Sequence, residues 1–171
     1  AKNLSYKLKS IAVTADGKAL EVDASKAIVG DLEGNGNLRI ELFNMYGATK
    51  DDPAIKIDSA AFTFTDEIKV DFEIEAYNPY YKECTAFVML TSTDYAVTTG
   101  ATDASVTTPV LGDGDYTLKV NLKEIGKEGT AVPGAQVLCV DILELCSLQT
   151  DPTLLSVSNV KLTVDGKEVA V

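Results

Sequence analysis

The sequence predicts an all-β protein, a β-sandwich of jelly-roll type in which two antiparallel sheets share about ten strands. Three observations carry this. Polar and apolar side chains alternate with a period of two through most of the 171 residues. Turns rich in Gly, Asn, Asp and Pro separate the alternating segments. Finally, Ile11-Ala12-Val13-Thr14-Ala15-Asp16-Gly17-Lys18 near the start is echoed by Val160-Lys161-Leu162-Thr163-Val164-Asp165-Gly166-Lys167 near the end. In both copies Asp-Gly suits the type I′ turn of a tight hairpin, whose two central residues need positive φ.

The elements follow in chain order. After the first hairpin, Gly30-Asp31-Leu32-Glu33-Gly34-Asn35-Gly36-Asn37 reads as a turn-rich connection. Leu38 to Phe43 alternates, with Arg39 and Glu41 facing out. Residues 51–61 have room for a short helical turn, as do residues 122–129, but neither keeps a 3.6-residue period for long. Lys69 to Tyr77 is the longest alternating segment. It places Val70, Phe72, Ile74 and Ala76 inward against Lys69, Asp71, Glu73, Glu75 and Tyr77 outward. Asn78-Pro79-Tyr80-Tyr81 turns the chain into Ala86 to Leu90, an apolar run expected of a central strand covered on both faces. Beyond Gly112-Asp113-Gly114, the segment Asp115 to Leu122 points Tyr116, Leu118, Val120 and Leu122 into the core. Val132-Pro133-Gly134 leads to a second apolar run, Val137 to Leu143, in which Asp141 is the odd residue. A hydrogen bond from a neighbouring loop to Asp141 is the expected account, with a raised carboxyl pKa as the alternative. This many strands exceed a seven-stranded immunoglobulin module, which favours the jelly roll.

Residues 1–171 make a single domain, and no Pro-, Ser- or Gly-rich linker divides them. The chain opens on Ala1-Lys2-Asn3, which reads as a processed or excised end. With 46% hydrophobic residues it has the composition of a globular domain, and no apolar run approaches the ~20 residues of a membrane span. Its 15 basic and 26 acidic residues give a formal net charge of −11, which repels nucleic acid and anionic lipid. Of the three cysteines, Cys139 sits in an apolar run and reads as a buried thiol, while a Cys139–Cys146 or Cys84–Cys146 bridge stays open. The absence of His removes the usual general base and the Ser–His and Cys–His nucleophile pairs. A two-carboxylate glycosidase remains formally open, but the expectation is a protein that is not an enzyme.

Three segments, residues 30–44, 112–120 and 157–167, resemble in order the strand-and-turn patterns of carbohydrate-binding modules. The modules meant are the jelly-roll ones of secreted, cellulosome-type polysaccharide-degrading systems in anaerobic gut and rumen bacteria. The resemblance spans roughly residues 24–171. It implies a non-catalytic module of a larger secreted protein, extracellular or at the cell surface, that binds a plant or dietary polysaccharide and targets an attached enzyme or cell to it. It also implies a structural calcium ion. The competing expectation is a structural or adhesive β-sandwich domain of a bacterial surface protein.

Many such modules stack sugars on indole rings, and this chain has no Trp. Tyr77, Tyr80, Tyr81 and Tyr95 are therefore the candidate stacking residues, since they fall in loops or on polar faces, whereas Phe62, Phe64, Phe72 and Phe87 occupy apolar strand positions. Arg39, Glu41, Glu73 and Glu75 are candidate hydrogen-bond partners for sugar hydroxyls, with Asp71 beside them. Asp31, Glu33 and Asn35 offer hard oxygen ligands for calcium, as do Asp113 and Asp115, although neither set fits the EF-hand spacing.

Overall fold

In the computed structural model, residues 6–78, 80–103, 107–150, 162–164 and 167–169 are described. Strands β1 (Tyr6–Ala15), β2 (Lys18–Ala19), β5 (Glu67–Ala76) and β8 (Gly114–Asn121) form one sheet in the order β2-β1-β5-β8. Strands β3 (Ile28–Gly30), β4 (Leu38–Asn44), β6 (Cys84–Ser92), β7 (Thr107–Val110) and β9 (Ala135–Ile142) form the other in the order β3-β4-β9-β6-β7. Every ladder in both is antiparallel. From β4 to β9 the chain changes sheet at each connection except β6 to β7. That crossing pattern makes a sandwich of jelly-roll type, in which neither sheet is built from consecutive hairpins alone.

The alternation of β5 translates directly into burial. Ile68, Val70, Phe72, Ile74 and Ala76 are buried between the sheets, while Lys69, Asp71, Glu73 and Glu75 lie on the outer face. Phe72 packs on Tyr116 at 5.6 Å between ring centroids. The Tyr116 ring lies against the core, and its hydroxyl donates to the Gly112 carbonyl at 2.9 Å. Strand β9 is buried along its whole length, as its apolar run predicted, because β4 and β6 flank it and side chains cover both of its faces. Cys84, Cys139 and Cys146 are free, buried thiols, so neither of the bridges left open by the sequence forms.

The first Asp-Gly turn does more than reverse the chain. Asp16 and Gly17 have φ of 49° and 76°, the left-handed pair that a type I′ turn needs. The Asp16 carboxylate then accepts hydrogen bonds from the backbone N–H groups of Thr65, Asp66 and Glu67 at 2.8–2.9 Å, tying the hairpin to the entry of β5. At the other end, β10 (Leu162–Val164) and β11 (Lys167–Val169) pair as the second hairpin. Its Asp165-Gly166 turn lies outside the described residues.

Helix is sparse and does not fall where helical turns were expected. Residues 51–61 and 122–129 form isolated hydrogen-bonded turns, such as Phe62 N–H to Asp58 and Lys127 N–H to Leu122. Among the described residues, the helical ones are a 3-10 turn at Ala24–Lys26 and a short helix α1 (Leu145–Thr150). A six-residue helix is too short to display a 3.6-residue period, so tertiary contacts place it: Leu145 and Cys146 enter the core, and the Ser147 N–H donates to the Gly36 carbonyl at 3.0 Å.

Candidate functional site

The outer face of the five-stranded sheet carries charges that a solvated strand face does not explain. The register places Arg39 of β4 opposite Asp141 of β9, and Glu41 opposite Cys139. Both Arg39 and Glu41 point outward as the alternation predicted, yet they are only 6% and 3% exposed. They are not the water-facing partners that alternation implied. Two loops, residues 31–37 and 45–50, fold back over the strand and enclose them.

Arg39 is held on three sides. Its Nε and Nη2 donate to the two Asp141 carboxylate oxygens at 2.7 Å each, a bidentate charge-assisted pair. Nη1 bonds the Glu33 carboxylate, and Nη2 also lies 3.7 Å from the Met89 sulfur. The hydrogen bonds to Asp141 raise the guanidinium pKa further above its already high value. The odd residue of the apolar run is thus satisfied by an arginine on the neighbouring strand, not by a loop. Glu41 is held by the second loop: its Oε1 accepts from the Thr49 N–H at 3.1 Å and from the Thr49 hydroxyl at 2.7 Å. Gly47 lies so close that a Cβ there would stand 2.6 Å from that same Oε1.

The loop of residues 31–37 explains where the candidate calcium ligands go. Asp31 accepts the N–H groups of Asn35 and Gly36, the Asn35 side-chain oxygen accepts the Asn37 N–H, and the Asn35 amide donates to Glu33. Gly34 and Gly36 take φ of 67° and 85°, positions that favour glycine. Among the described residues, no three His, Cys, Asp or Glu side chains converge as a metal site. Asp31 and Asn35 brace the loop through these bonds, and Glu33 reaches Arg39. Asp113 accepts the Ala76 N–H at 2.6 Å.

Between the two loops lies a cleft of about 430 Å³, floored by Arg39 and Glu41 and walled by Leu32, Glu33, Asn44 and Tyr46. Tyr46 is 74% exposed and Tyr95 is 64% exposed. Their hydroxyls are 3.4 Å apart, and the Tyr46 hydroxyl also donates to the side-chain oxygen of Gln136 at 3.3 Å. Gln136 is in turn anchored by donating to the Ser92 and Thr93 carbonyls. The hydroxyl contact raises the Tyr46 pKa and lowers that of Tyr95. Tyr95 sits at φ 59°, a left-handed conformation uncommon for an aromatic residue. Its turn is held by Ser92 and Asp94, the serine hydroxyl donating to the aspartate at 2.6 Å.

The eight candidate ligand residues are distributed over three surfaces. Tyr95, Arg39 and Glu41 belong to the outer face just described. Tyr77, Tyr80 and Tyr81 lie in the connection before β6, whereas Tyr95 follows β6. The nine residues of that strand set the two groups roughly 25 Å apart at about 3.3 Å per residue. Tyr77 and Tyr81 border a separate hollow of about 400 Å³ with Asn78, Leu111 and Asp113. Glu73 and Glu75 lie on the outside of the other sheet, where Glu75 pairs with Lys9 at 2.6 Å. Sequence reasoning missed Asn44, Tyr46 and Gln136. The available signal was the Asn44-Met45-Tyr46-Gly47 turn directly after a strand with charged outward positions.

Comparison with known protein families, with curated proteins and with solved structures finds no match for this chain.

Proposed function

We propose that this domain is a non-catalytic glycan-binding module whose polysaccharide lies along the outer face of the five-stranded sheet, from the cleft at Glu33 to the tyrosine pair. The observation that carries this is the pair itself: two exposed aromatic rings, Tyr46 and Tyr95, fixed by a shared contact to Gln136 at the rim of a polar cleft. A pyranose presents C–H groups that pack on an aromatic face and hydroxyls that bond to carboxylates and amides. Tyr46 and Tyr95 supply the faces. Glu33, half-exposed and braced by Arg39, supplies an acceptor for sugar hydroxyls. Arg39 and Asp141 act as positioning residues beneath it. Such a module needs only modest affinity, because tethering raises the local concentration of whatever it is attached to.

Affinity electrophoresis against a panel of soluble polysaccharides tests the reading. At least one polymer is expected to retard the chain. Tyr46→Ala or Tyr95→Ala should weaken that retention by about tenfold, roughly 1.4 kcal/mol, and leave the melting temperature nearly unchanged. Retention by no polymer would favour a structural or adhesive sandwich domain of a surface protein. Retention lost only in the Tyr77→Ala or Tyr81→Ala variants would move the site to the far end of β6.

A further inference from the structure

We infer that the polymer bound on this face is a neutral polysaccharide and that uronic-acid and sulfated polymers are rejected; this rests on the glycan-binding reading above. Among the described residues that line the cleft, Arg39 is the single cation. An arginine recognises a carboxylate or sulfate by offering a free fork of N–H donors. Here the Nε/Nη2 edge is already taken by both Asp141 oxygens, Nη1 bonds Glu33, and Nη2 also faces the Met89 sulfur. The guanidinium is also buried beneath the loop that carries Glu33. To offer a uronate its bidentate Nε/Nη2 edge it would have to release Asp141, itself only 4% exposed, and leave a buried carboxylate without its counter-charge.

The local charge points the same way. Glu33 and Asp141 bond the one guanidinium and Glu41 shares the cleft floor, so the site carries three carboxyl groups to one cation on a chain whose formal net charge is −11. An anionic sugar seated in the cleft would stand well inside the screening length of about 10 Å at 0.1 M salt and would meet unscreened repulsion. The groups that remain open to a ligand are the half-exposed Glu33 carboxylate and the two tyrosines, which serve hydroxyls and C–H faces. Neutral hexose and pentose units present both, and they lose nothing by the absence of a free cation.

Titration calorimetry on the whole chain separates the possibilities. One arm uses neutral polymers, namely xyloglucan, glucomannan, mixed-linkage β-glucan and starch; the other uses polygalacturonate and chondroitin sulfate. The expected result is binding to at least one neutral polymer, changed by less than about twofold when salt rises tenfold. Binding should be weakened at least about tenfold by Tyr46→Ala and Tyr95→Ala, and the polyanions should give no heat of binding. Polygalacturonate binding as tight as that of any neutral polymer, and weakening with salt, would overturn the inference while leaving the glycan-binding reading in place. Neutral binding that survives both tyrosine variants would also overturn it, by locating the polymer off this face. Silence in both arms would overturn the glycan-binding reading and the inference with it.

Discussion

Arg39 and Asp141 stand 102 residues apart in sequence and opposite each other across β4 and β9, joined by two 2.7 Å hydrogen bonds in a site nearly closed to water. A buried pair of this kind gives little net stability over an apolar equivalent, but losing one member is costly because the other is left unpaired.

Asp141→Ala is therefore expected to destabilise the domain by about 3–5 kcal/mol, read from urea unfolding. The double variant Arg39→Met, Asp141→Leu should recover most of that loss, because neither charge then remains buried alone. A double variant as unstable as the single one would refute the unpaired-charge account.

The Asp16 clasp predicts a dependence on acid. Burial pushes the Asp16 carboxyl pKa up, but the N–H groups of Glu67, Thr65 and Asp66 and the Thr65 hydroxyl outweigh it and hold the pKa below its ordinary value. A pKa lowered by folding contributes stability above the unfolded value, about 3.9, and that contribution fades as pH falls through the folded value. Asp16→Asn keeps a residue that tolerates the left-handed turn and removes the charge. It is expected to lower stability at neutral pH by about 1–2 kcal/mol and to flatten the loss below about pH 4. Unfolding curves of both proteins at a series of pH values measure the two slopes.

Gly47 is where the loop of residues 45–50 passes closest to Glu41, and an added Cβ would stand 2.6 and 2.8 Å from the two carboxylate oxygens. The Gly47→Ala variant should push the loop outward, at a cost of about 1–3 kcal/mol. It should also reduce polysaccharide retention, since Tyr46 is the residue before it. Unchanged stability together with unchanged retention would mean that Glu41 gives way freely.

Phe72 tests the core. It is 3% exposed, its ring packs on Tyr116, and its neighbours along the inner face of β5 are Val70 and Ile74. Phe72→Ala should cost about 3–5 kcal/mol in thermal or urea unfolding. Glu73→Ala, on the outer face of the same strand, should cost less than about 0.5 kcal/mol.

Alternation was enough to orient β5 and β8, an unbroken apolar run to identify β9 as a central strand, and the Asp-Gly pair to predict the hairpin at Asp16. These are local properties: side-chain period states which way a residue leaves its own strand, and turn chemistry states which φ the backbone tolerates. Period does not state what lies above a strand. Arg39 and Glu41 were assigned the correct side of β4 but not their burial, because the loops that cover them come from elsewhere in the chain. Asp141 was noticeable as a charge in an apolar run, while its partner depended on strand pairing across 102 residues. Tyr77, Tyr80, Tyr81 and Tyr95 are all stacking candidates by residue type, and the length of β6 separates the first three from the last. Tyr46 and Tyr95 lie 49 residues apart and meet at the same rim. Which side chains share a surface is set by sheet order and register, and those come from non-local pairing that no window of the sequence contains.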